Sequence, residues 1–355
     1  MTAFVSPMVA QSTDGPILRS LSLSKGLHAG PELCSVARMT EEHPHPHTTR
    51  FVDVDGASIF VEESGTPDGV PALWLHGGPG GSLGSGWYRS HFDLSRYRLI
   101  GIDQRGSGRS IPNIVDAREQ LDEHTTQRLI ADIEAVRVAS GVERWVVSGV
   151  SWGTTLALAY AQEHPDRVIA LALVAVTTTS RDEVDWITEG VGRVFPEEWA
   201  RFEAASDRRD GERVVEAYAR RLREGDAMDR TRAATAWDRW ESAHVSLDHP
   251  ERVGQLLADA TEREAFATLV THYWSHDGFL TGDRAVLSRM DRIAHIPGAL
   301  VHGRRDISGP AATAWRLHQL WPASELTIVE TEGHGGAEES AVLRAALEGF
   351  AALAP

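Results

Sequence analysis

The sequence predicts an α/β fold in which a mostly parallel sheet carries helices on both faces. Short apolar, β-branched runs alternate with helix-forming stretches from residue 49 onward, and this alternation is typical of a parallel sheet covered on both sides. The segment Gly149–Gly153 (Gly-Val-Ser-Trp-Gly) lies between one such apolar run and one helix-forming run. A sharp strand-to-helix turn at Ser151 would lift its hydroxyl out of the sheet edge, where a substrate carbonyl can reach it. A plain Gly/Ser turn is the alternative.

The individual elements follow from local signals. Residues 51–54 and 58–62 flank Asp55 and Gly56, a pair typical of a two-residue hairpin turn. Gly141 ends the helix predicted from Thr125, and the wholly apolar run 168–176 indicates a buried strand that is too short to cross a bilayer. The prediction comprises strands at 51–54, 58–62, 71–75, 97–102, 144–148, 168–176, 299–302 and 326–329, and helices at 125–140, 154–161, 311–320 and 340–353.

The chain is predicted to have three parts. Residues 1–47 show no sustained periodicity and end in alternating His and Pro, which favours a flexible extension over a metal site. Residues 48–179 and 296–355 contain the strand signals and form the predicted core. Residues 180–295 are helical in pattern, which predicts a cap over the active site. This helical insertion carries five of the 11 tryptophans, namely Trp186, Trp199, Trp237, Trp240 and Trp274.

The composition and charge of the chain disfavour several kinds of partner and location. The formal net charge of −16 over 355 residues disfavours binding to nucleic acid or to an anionic membrane surface. The single cysteine, Cys34, cannot form an internal disulfide, which suits a reducing cytoplasm. The first ten residues lack a basic start and are interrupted by Pro7, so a signal peptide is not expected. Nothing in the composition indicates an oligomeric state.

A serine nucleophile needs a base, and the base needs an orienting acid. In α/β-hydrolases these partners follow the serine in the order acid, then histidine, each just after a strand. Asp306 follows the strand predicted at 299–302, and His334 follows the strand predicted at 326–329 within a Gly-His-Gly turn. Asp283 and Asp291 are weaker alternatives for the acid. His302 lies inside a strand and is interpreted as a core residue.

Two backbone donors are expected to bind the oxyanion of the reaction. One is the N–H of Trp152, directly after the serine, and the other is that of Gly78 in the glycine-rich loop His76–Gly81. This loop could also cradle a phosphate, but it lacks the lysine and the Ser/Thr of a P-loop, so nucleotide binding is disfavoured.

Five segments together resemble the prolyl aminopeptidases (proline iminopeptidases) of the α/β-hydrolase superfamily. They are 76–80, 103–110, 132–134, 149–165 and 303–306, and the resemblance runs from about residue 50 to the C-terminus. It implies a triad of Ser151, Asp306 and His334 under a helical cap. It also implies release of an N-terminal proline from a short peptide without a metal or a cofactor.

The same resemblance suggests substrate contacts. The segment 236–241 resembles the cap stretch that carries an amine-binding glutamate, so Glu241 is the candidate ligand of the substrate amine. A surface glutamate on a helix is the alternative. Trp274 occupies the position of a pocket phenylalanine in the family, and Gly77 is a further candidate for substrate contact.

Three positions depart from the family pattern. Val270 replaces a second glutamate, and Thr177 and Ile187 stand where the family has aromatic residues. These changes leave open a hydrolase of altered specificity on the same scaffold: an esterase, an amidase or a thioesterase acting on a small metabolite. A binding protein without catalysis is a third hypothesis, disfavoured by the intact triad and oxyanion loop.

Overall fold

The fold is built on one sheet whose strand order places the serine turn near its middle. The computed structural model describes residues 46–245, 247, 253 and 257–353, so Cys34 and residues 1–45 of the predicted extension lie outside the described residues. Eight strands of the described chain form the sheet: β1 Thr48–Val54, β2 Ala57–Gly65, β3 Val70–Leu75, β4 Tyr97–Ile102, β5 Trp145–Val150, β6 Val168–Val174, β7 Gly298–Gly303 and β8 Ser324–Val329. Their order is β1-β2-β4-β3-β5-β6-β7-β8.

The first two strands form the predicted hairpin. Val54 pairs with Ala57 across a two-residue loop, and Gly56 adopts a φ of 73°, which its lack of a Cβ permits. β2 pairs antiparallel with β4, and the strands from β4 through β3 to β8 are all parallel. The backbone N–H of His47 also donates to the carbonyl of Glu63 on β2 at 2.7 Å.

Nine helices are present in the described residues: α1 Thr126–Ala139, α2 Trp152–Glu163, α3 Arg181–Thr188, α4 Pro196–Ser206, α5 Val214–Glu224, α6 Ala227–Val245, α7 Ala260–Ser275, α8 Ala312–Leu320 and α9 Ala337–Phe350. Helices α1 and α2 lie on one face of the sheet and α9 lies on the other. Leu73 and Leu75 of β3 share one apolar cluster with α1 and α2, whereas the alternating Ala72 and Trp74 share another with α9. This alternation is the two-residue period of a strand buried on both sides.

The predicted α/β fold is confirmed, with one boundary corrected. The run 168–176 is a strand only to Val174, since Ala175 has a φ of 51°, outside the extended region. All seven residues of β6 are buried, and each large apolar side chain in such a strand contributes about 1.5–3 kcal/mol to folding. The buried strand β6 therefore holds in place the chain segment that follows its carboxyl end.

The helices α3 to α7 lie between β6 and β7 in the chain, within the segment predicted to be a cap. No strand occurs among the described residues of that segment. α7 packs against the glycine-rich loop after β3, where a Cβ on Gly80 would lie 2.9 Å from Leu269 Cβ. The ring centroids of Trp152 and Tyr273 also lie 5.1 Å apart. These contacts bring α7 next to the turn that carries Ser151.

Candidate active site

The turn at Ser151 joins β5 to α2 in a backbone conformation that few non-glycine residues adopt. Ser151 has φ 55° and ψ −125°, and its N–H donates to Val174 O at 3.1 Å. Glycine is required at both flanking positions because a Cβ there would clash with the neighbouring backbone. A Cβ at Gly149 would lie 2.5 Å from Gly153 O, and a Cβ at Gly153 would overlap the Leu75 carbonyl oxygen. The turn therefore holds the serine at the N-terminus of α2, where N–H groups favour developing negative charge.

His334 and Asp306 form a hydrogen-bonded pair after β8 and β7. Nδ1 of His334 lies 2.7 Å from Oδ2 of Asp306, and Oδ1 of the same carboxylate accepts the Gly309 N–H at 2.9 Å. Asp306 is only 3% exposed. A carboxylate that holds the Nδ1–H of an imidazole leaves Nε2 as the proton-accepting nitrogen. The pair thus has the geometry of an oriented general base.

Burial opposes charge on both members of this pair, but their mutual attraction outweighs it. Burial alone would raise the pKa of Asp306, yet the charge of His334 and its hydrogen bond hold the pKa below its usual value. Burial alone would lower the pKa of His334, yet the charge and hydrogen bond of Asp306 raise it. The acid therefore stays ionised near neutral pH, and the imidazole becomes a stronger base.

His302 is the buried strand residue that the sequence predicts. Its Nδ1 accepts the Val176 N–H at 3.0 Å, and its Nε2 donates to the Gly309 carbonyl at 2.6 Å. Burial is the largest influence on the imidazole and lowers the pKa of His302. This neutral ring ties the chain after β6 to the loop that carries Asp306.

The glycine-rich loop after β3 comes into contact with the serine turn. A Cβ on Gly77 would lie 3.2 Å from Ser151 Cβ, so Gly77 sits against the serine. Gly78 has a φ of 118°, and a Cβ there would lie 2.7 Å from Gly80 N. Gly78 therefore has no room for a Cβ, whereas Gly77 is in tight contact with the serine turn. The loop can therefore approach a substrate held at Ser151.

A glutamine that the sequence motifs did not single out connects this loop to the residue after the serine. The Gln104 N–H donates to His76 Nε2 at 3.0 Å, and the Gln104 side-chain amide donates to the His76 carbonyl at 2.9 Å. Its amide oxygen accepts Trp152 Nε1–H at 2.9 Å. Gln104 thus braces the two segments that contain the predicted oxyanion donors, Gly78 and Trp152. Gln104 lies within the segment 103–110, so its membership of that motif could have identified it from the sequence.

A pocket with about 480 Å³ of empty space, open to solvent on one side, brings most of the predicted site residues together. Ser151, His334, Gly78 and Trp152 share its wall, whereas Gly77 abuts Ser151 beside it. The remaining wall residues come from the chain after β6, from α3, α6 and α7, and from the loop after β7: Ala175, Thr177, Thr179, Glu183, Val184, Ile187, Glu241, His244, Val245, Trp274, Ser308 and Gly309.

Glu241 is a buried carboxylate on this wall. It is 7% exposed, and Oε2 accepts Trp237 Nε1–H at 2.7 Å. Burial raises the pKa of Glu241 to about 7, while the Trp237 hydrogen bond and the charge of His334 act in the opposite direction. This burial excludes the alternative of a surface glutamate at this position. A carboxylate that is short of partners in an apolar wall favours a cationic ligand.

Glu183, the other glutamate on the wall, has its partners already. Its two oxygens accept hydrogen bonds from the hydroxyls of Thr177, Thr178 and Ser180 and from the backbone N–H groups of Thr178 and Ser180. The Ser180 N–H contact belongs to the capping box of α3, in which the Ser180 side chain in turn accepts from the Glu183 backbone N–H. Glu183 therefore stabilises the start of α3 and the adjacent pocket wall.

Comparison with known proteins decides the family. Residues 71–341 match the family described as alpha/beta hydrolase fold. A probable proline iminopeptidase from Streptomyces coelicolor is 43% identical over 314 residues, which cover 86% of this chain and 96% of the relative. The proline iminopeptidase of Neisseria meningitidis serogroup B is 43% identical over 280 residues, covering 78% of this chain and 86% of the relative. The chain belongs to the proline iminopeptidase family.

Solved structures share the fold of this chain at much lower sequence identity. The Mycobacterium smegmatis proline iminopeptidase aligns with a TM-score of 0.57 at 22% identity, over 86% of this chain and 99% of that chain. An esterase from Exiguobacterium antarcticum aligns with a TM-score of 0.55 at 20% identity, over 86% of this chain and 100% of that chain. At these identities the likeness shows a shared fold, which hosts several chemistries.

The three positions predicted to depart from the proline iminopeptidase pattern lie in different places. Thr177 and Ile187 line the pocket, as does Trp274. Val270 is fully buried in α7 and is not part of the pocket wall.

The part of the chain that the structure describes contains neither a metal-ligand cluster nor a membrane-spanning helix. No group of three or more His, Cys, Asp or Glu side chains there is arranged to hold a metal ion. No helix there is long and apolar enough to span a membrane.

Proposed function

We propose that this member of the proline iminopeptidase family releases an N-terminal proline, or a related small residue, from short peptides. The observation that carries the proposal is the position of Glu241, a buried carboxylate in the same pocket as Ser151 and His334. A free N-terminal amine is a cation at neutral pH, and an ionised carboxylate in a desolvated wall binds it strongly. The names of the curated relatives support the same substrate class.

In the proposed mechanism Ser151 Oγ attacks the carbonyl carbon of the N-terminal residue while His334 Nε2 takes the hydroxyl proton. Asp306 holds the imidazolium that forms, as its 2.7 Å hydrogen bond to Nδ1 permits. The N–H groups of Gly78 and Trp152 receive the oxyanion. His334 then protonates the leaving peptide nitrogen. Water activated by the same imidazole hydrolyses the acyl-enzyme and restores the serine.

Helices α3 to α7 act as a cap in this proposal, with Glu241 and Trp274 binding the N-terminal residue. The cap supplies part of the pocket wall and shields the reacting groups from bulk solvent, while the hydrolytic water still reaches the acyl-enzyme. A binding site for a free N-terminus that is closed in this way limits the enzyme to the end of a peptide. Action in the cytoplasm stays a prediction from composition, as does the absence of membrane and nucleic-acid partners.

The decisive experiment compares three substrates: prolyl-anilide, acetyl-prolyl-anilide and a short-chain ester. We expect the highest kcat/KM for prolyl-anilide, because acetylation removes the cation that Glu241 binds. Preference for the blocked substrate or for the ester would refute the aminopeptidase proposal and favour the alternative of altered specificity. A fluorophosphonate probe should label the wild-type protein and leave Ser151→Ala unlabelled. Absence of labelling in the wild type would refute serine catalysis altogether.

A further inference from the structure

His76 begins the glycine-rich loop after β3, and the proposed mechanism gives its side chain no role. The residue is 3% exposed and is not among the residues that line the pocket with Ser151 and Gly78. Both ring nitrogens nevertheless have backbone partners. Nε2 lies 3.0 Å from the Gln104 nitrogen, and Nδ1 lies 2.9 Å from the Gly77 carbonyl oxygen. The ring therefore bridges two chain segments beside the active site.

These two partners leave the imidazole of His76 only one tautomer. A backbone N–H can only donate, so Nε2, which faces the Gln104 N–H, must carry the lone pair. A carbonyl oxygen can only accept, so Nδ1, which faces the Gly77 oxygen, must carry the hydrogen. Burial is the largest influence on the ring and lowers the pKa of His76, which keeps the imidazole neutral at neutral pH. His76 Nδ1–H therefore donates to the Gly77 carbonyl.

The Gly77 carbonyl belongs to the same peptide unit as the Gly78 N–H, which is one of the two predicted oxyanion donors. The bond between Gly77 and Gly78 is trans, and the C=O and N–H of a trans peptide point in opposite directions. The Gly81 N–H also donates to the Gly77 oxygen, at 3.3 Å. Two donors thus hold the carbonyl on the side of the His76 ring, so the Gly78 N–H points away from that ring.

This peptide unit needs outside support because it lies between two glycines. Glycine has no Cβ to restrict its backbone angles, so the unit between Gly77 and Gly78 can rotate more freely than one between larger residues. A rotation that reversed the unit would turn the carbonyl oxygen, with its partial negative charge, to the side where the N–H now lies. That orientation would repel an oxyanion instead of stabilising it. The hydrogen bond from His76 favours the productive orientation.

Gln104 keeps the His76 ring itself from turning. Its N–H occupies the lone pair of Nε2, and its side-chain amide donates to the His76 carbonyl at 2.9 Å. The amide oxygen of Gln104 accepts Trp152 Nε1–H at 2.9 Å. The ring that orients the Gly78 peptide is therefore tied to the residue that supplies the other predicted donor, and a shift of one segment is resisted by the other.

We propose that His76 is a positioning residue whose Nδ1–H fixes the Gly77–Gly78 peptide so that the Gly78 N–H faces the oxyanion of the transition state. The inference rests on the serine mechanism of the proposed function, but not on which acyl group Ser151 receives. His76 itself makes no contact with the substrate in this role. Its contribution arises as negative charge develops on the substrate oxygen, so its loss lowers kcat and leaves KM nearly unchanged.

Two substitutions of His76 keep different parts of the hydrogen bonding of the ring. His76→Asn keeps an N–H near the position of Nδ1 and loses the acceptor at Nε2, whereas His76→Gln keeps an acceptor near Nε2 and loses the donor at Nδ1. His76→Gln should lower kcat by roughly 10- to 100-fold and change KM by less than about 3-fold. His76→Asn should retain kcat within about 3-fold of wild type. Prolyl-anilide and the short-chain ester should respond alike, because both reactions pass through an oxyanion.

A boronic acid inhibitor provides a second readout, since its Ki does not depend on the fraction of enzyme that is folded. The boron bonds to Ser151 Oγ and carries an oxygen in the place of the oxyanion, as a transition-state analogue does. Its Ki should rise in His76→Gln by the same factor by which kcat/KM falls. Gln104→Leu, which removes the side-chain contacts to His76 and Trp152, should raise Ki by roughly 3- to 10-fold.

His318→Gln is the matched control. His318 Nδ1 lies 2.9 Å from Ser324 Oγ, and neither residue lines the pocket. The substitution therefore removes a histidine hydrogen bond of similar length without touching the oxyanion loop, and it should leave kcat, KM and the boronate Ki unchanged. Thermal melting of every variant shows whether it is folded.

Three results would overturn the inference. Equal losses of kcat in His76→Asn and His76→Gln would mean that the ring acts through Gln104 and not through the Gly77 carbonyl. An unchanged kcat in His76→Gln would mean that the peptide needs no such support. A wild-type boronate Ki in Gln104→Leu would show that the two donors are not held in one frame.

The proposed function is judged by separate results. A wild-type preference for the ester over prolyl-anilide would refute the aminopeptidase proposal, and the His76 variants would then decide the inference on the ester alone. A wild-type protein that a fluorophosphonate does not label would refute serine catalysis, and the inference with it.

Discussion

The pH dependence of peptide cleavage should reveal the ionisation of Glu241 separately from that of the catalytic base. Glu241 has a pKa of about 7, and in the proposed mechanism it must be ionised to bind the substrate cation. His334 has a raised pKa and must be neutral to accept the serine proton. Both groups therefore have to lose a proton before prolyl-anilide is cleaved, whereas the ester requires only the second loss.

The size of the expected loss in kcat/KM for prolyl-anilide follows from the pKa of Glu241. One pH unit below that pKa, at about pH 6, only about a tenth of the carboxylates are ionised, which costs roughly 10-fold in kcat/KM beyond the loss from His334. On the acid side, log kcat/KM for prolyl-anilide should approach a slope of about two per pH unit, against about one for the ester. Above about pH 8 the prolyl rate should fall again as the substrate amine loses its charge.

The perturbation is Glu241→Gln, assayed on both substrates between about pH 5 and pH 9. The variant should reduce the acid slope for prolyl-anilide to that of the ester and raise its KM by about 10- to 100-fold. The charge of Glu241 also helps to raise the pKa of His334, so the acid limb for the ester should move to lower pH. Glu198→Gln, which removes ion pairs to Arg201 on α4 and Arg239 on α6, is the matched control. Equal slopes for both substrates in wild type, or a variant that retains the steeper slope, would refute the reasoning.

Three further substitutions test neighbouring features. Trp237→Phe removes the hydrogen bond that lowers the pKa of Glu241, so the acid limb for prolyl-anilide should move to higher pH while the ester limb does not; an unmoved prolyl limb would contradict this. Glu339 is fully buried, and burial, aided by the charges of Asp306 and Glu332, raises its pKa from 4.5 to about 8. The unfolded state therefore ionises first, and stability falls as the pH rises from 4.5 to 8. Glu339→Gln should raise the melting temperature near the upper end of that range, by a free energy on the order of 3 kcal/mol, and have little effect near the lower end; an equal gain at both would count against the pKa argument. Gly153→Ala would force a Cβ onto the Leu75 carbonyl oxygen and should cost about 1–3 kcal/mol of stability together with most of the activity, so full activity at an unchanged melting temperature would refute the steric account of the turn.

Much of the fold was predictable because its signals are local. The hairpin turn at Gly56 and the serine turn at Ser151 each depend on a few adjacent residues with restricted backbone geometry. Asp306 and His334 could be proposed because each follows a strand whose apolar pattern is visible in the sequence. The end of β6 was missed by two residues because the break at Ala175 is a backbone conformation in an otherwise apolar run.

The substrate pocket was predictable only in part, since its wall is assembled from distant segments. The sequence contains 16 histidines, and nothing local distinguishes His244 until α6 packs against the loop that carries Ser308. Glu183 and Glu241 are both buried glutamates, but only the structure reveals that one is saturated by hydroxyl and N–H donors and the other is short of them. The place of Val270 was likewise visible only in the structure, where the residue is buried in α7 and is not part of the pocket wall.

The sequence by itself therefore determined the α/β fold, the family, and the order of the candidate serine, acid and base along the chain. These follow from side-chain periodicity, from turns that only certain residues permit, and from motifs a few residues long. The tertiary structure alone decided which carboxylates and imidazoles share the pocket, which of their atoms lack partners, and how burial shifts their pKa values. Those properties depend on desolvation and on contacts between residues more than 60 positions apart, as between His244 and Ser308.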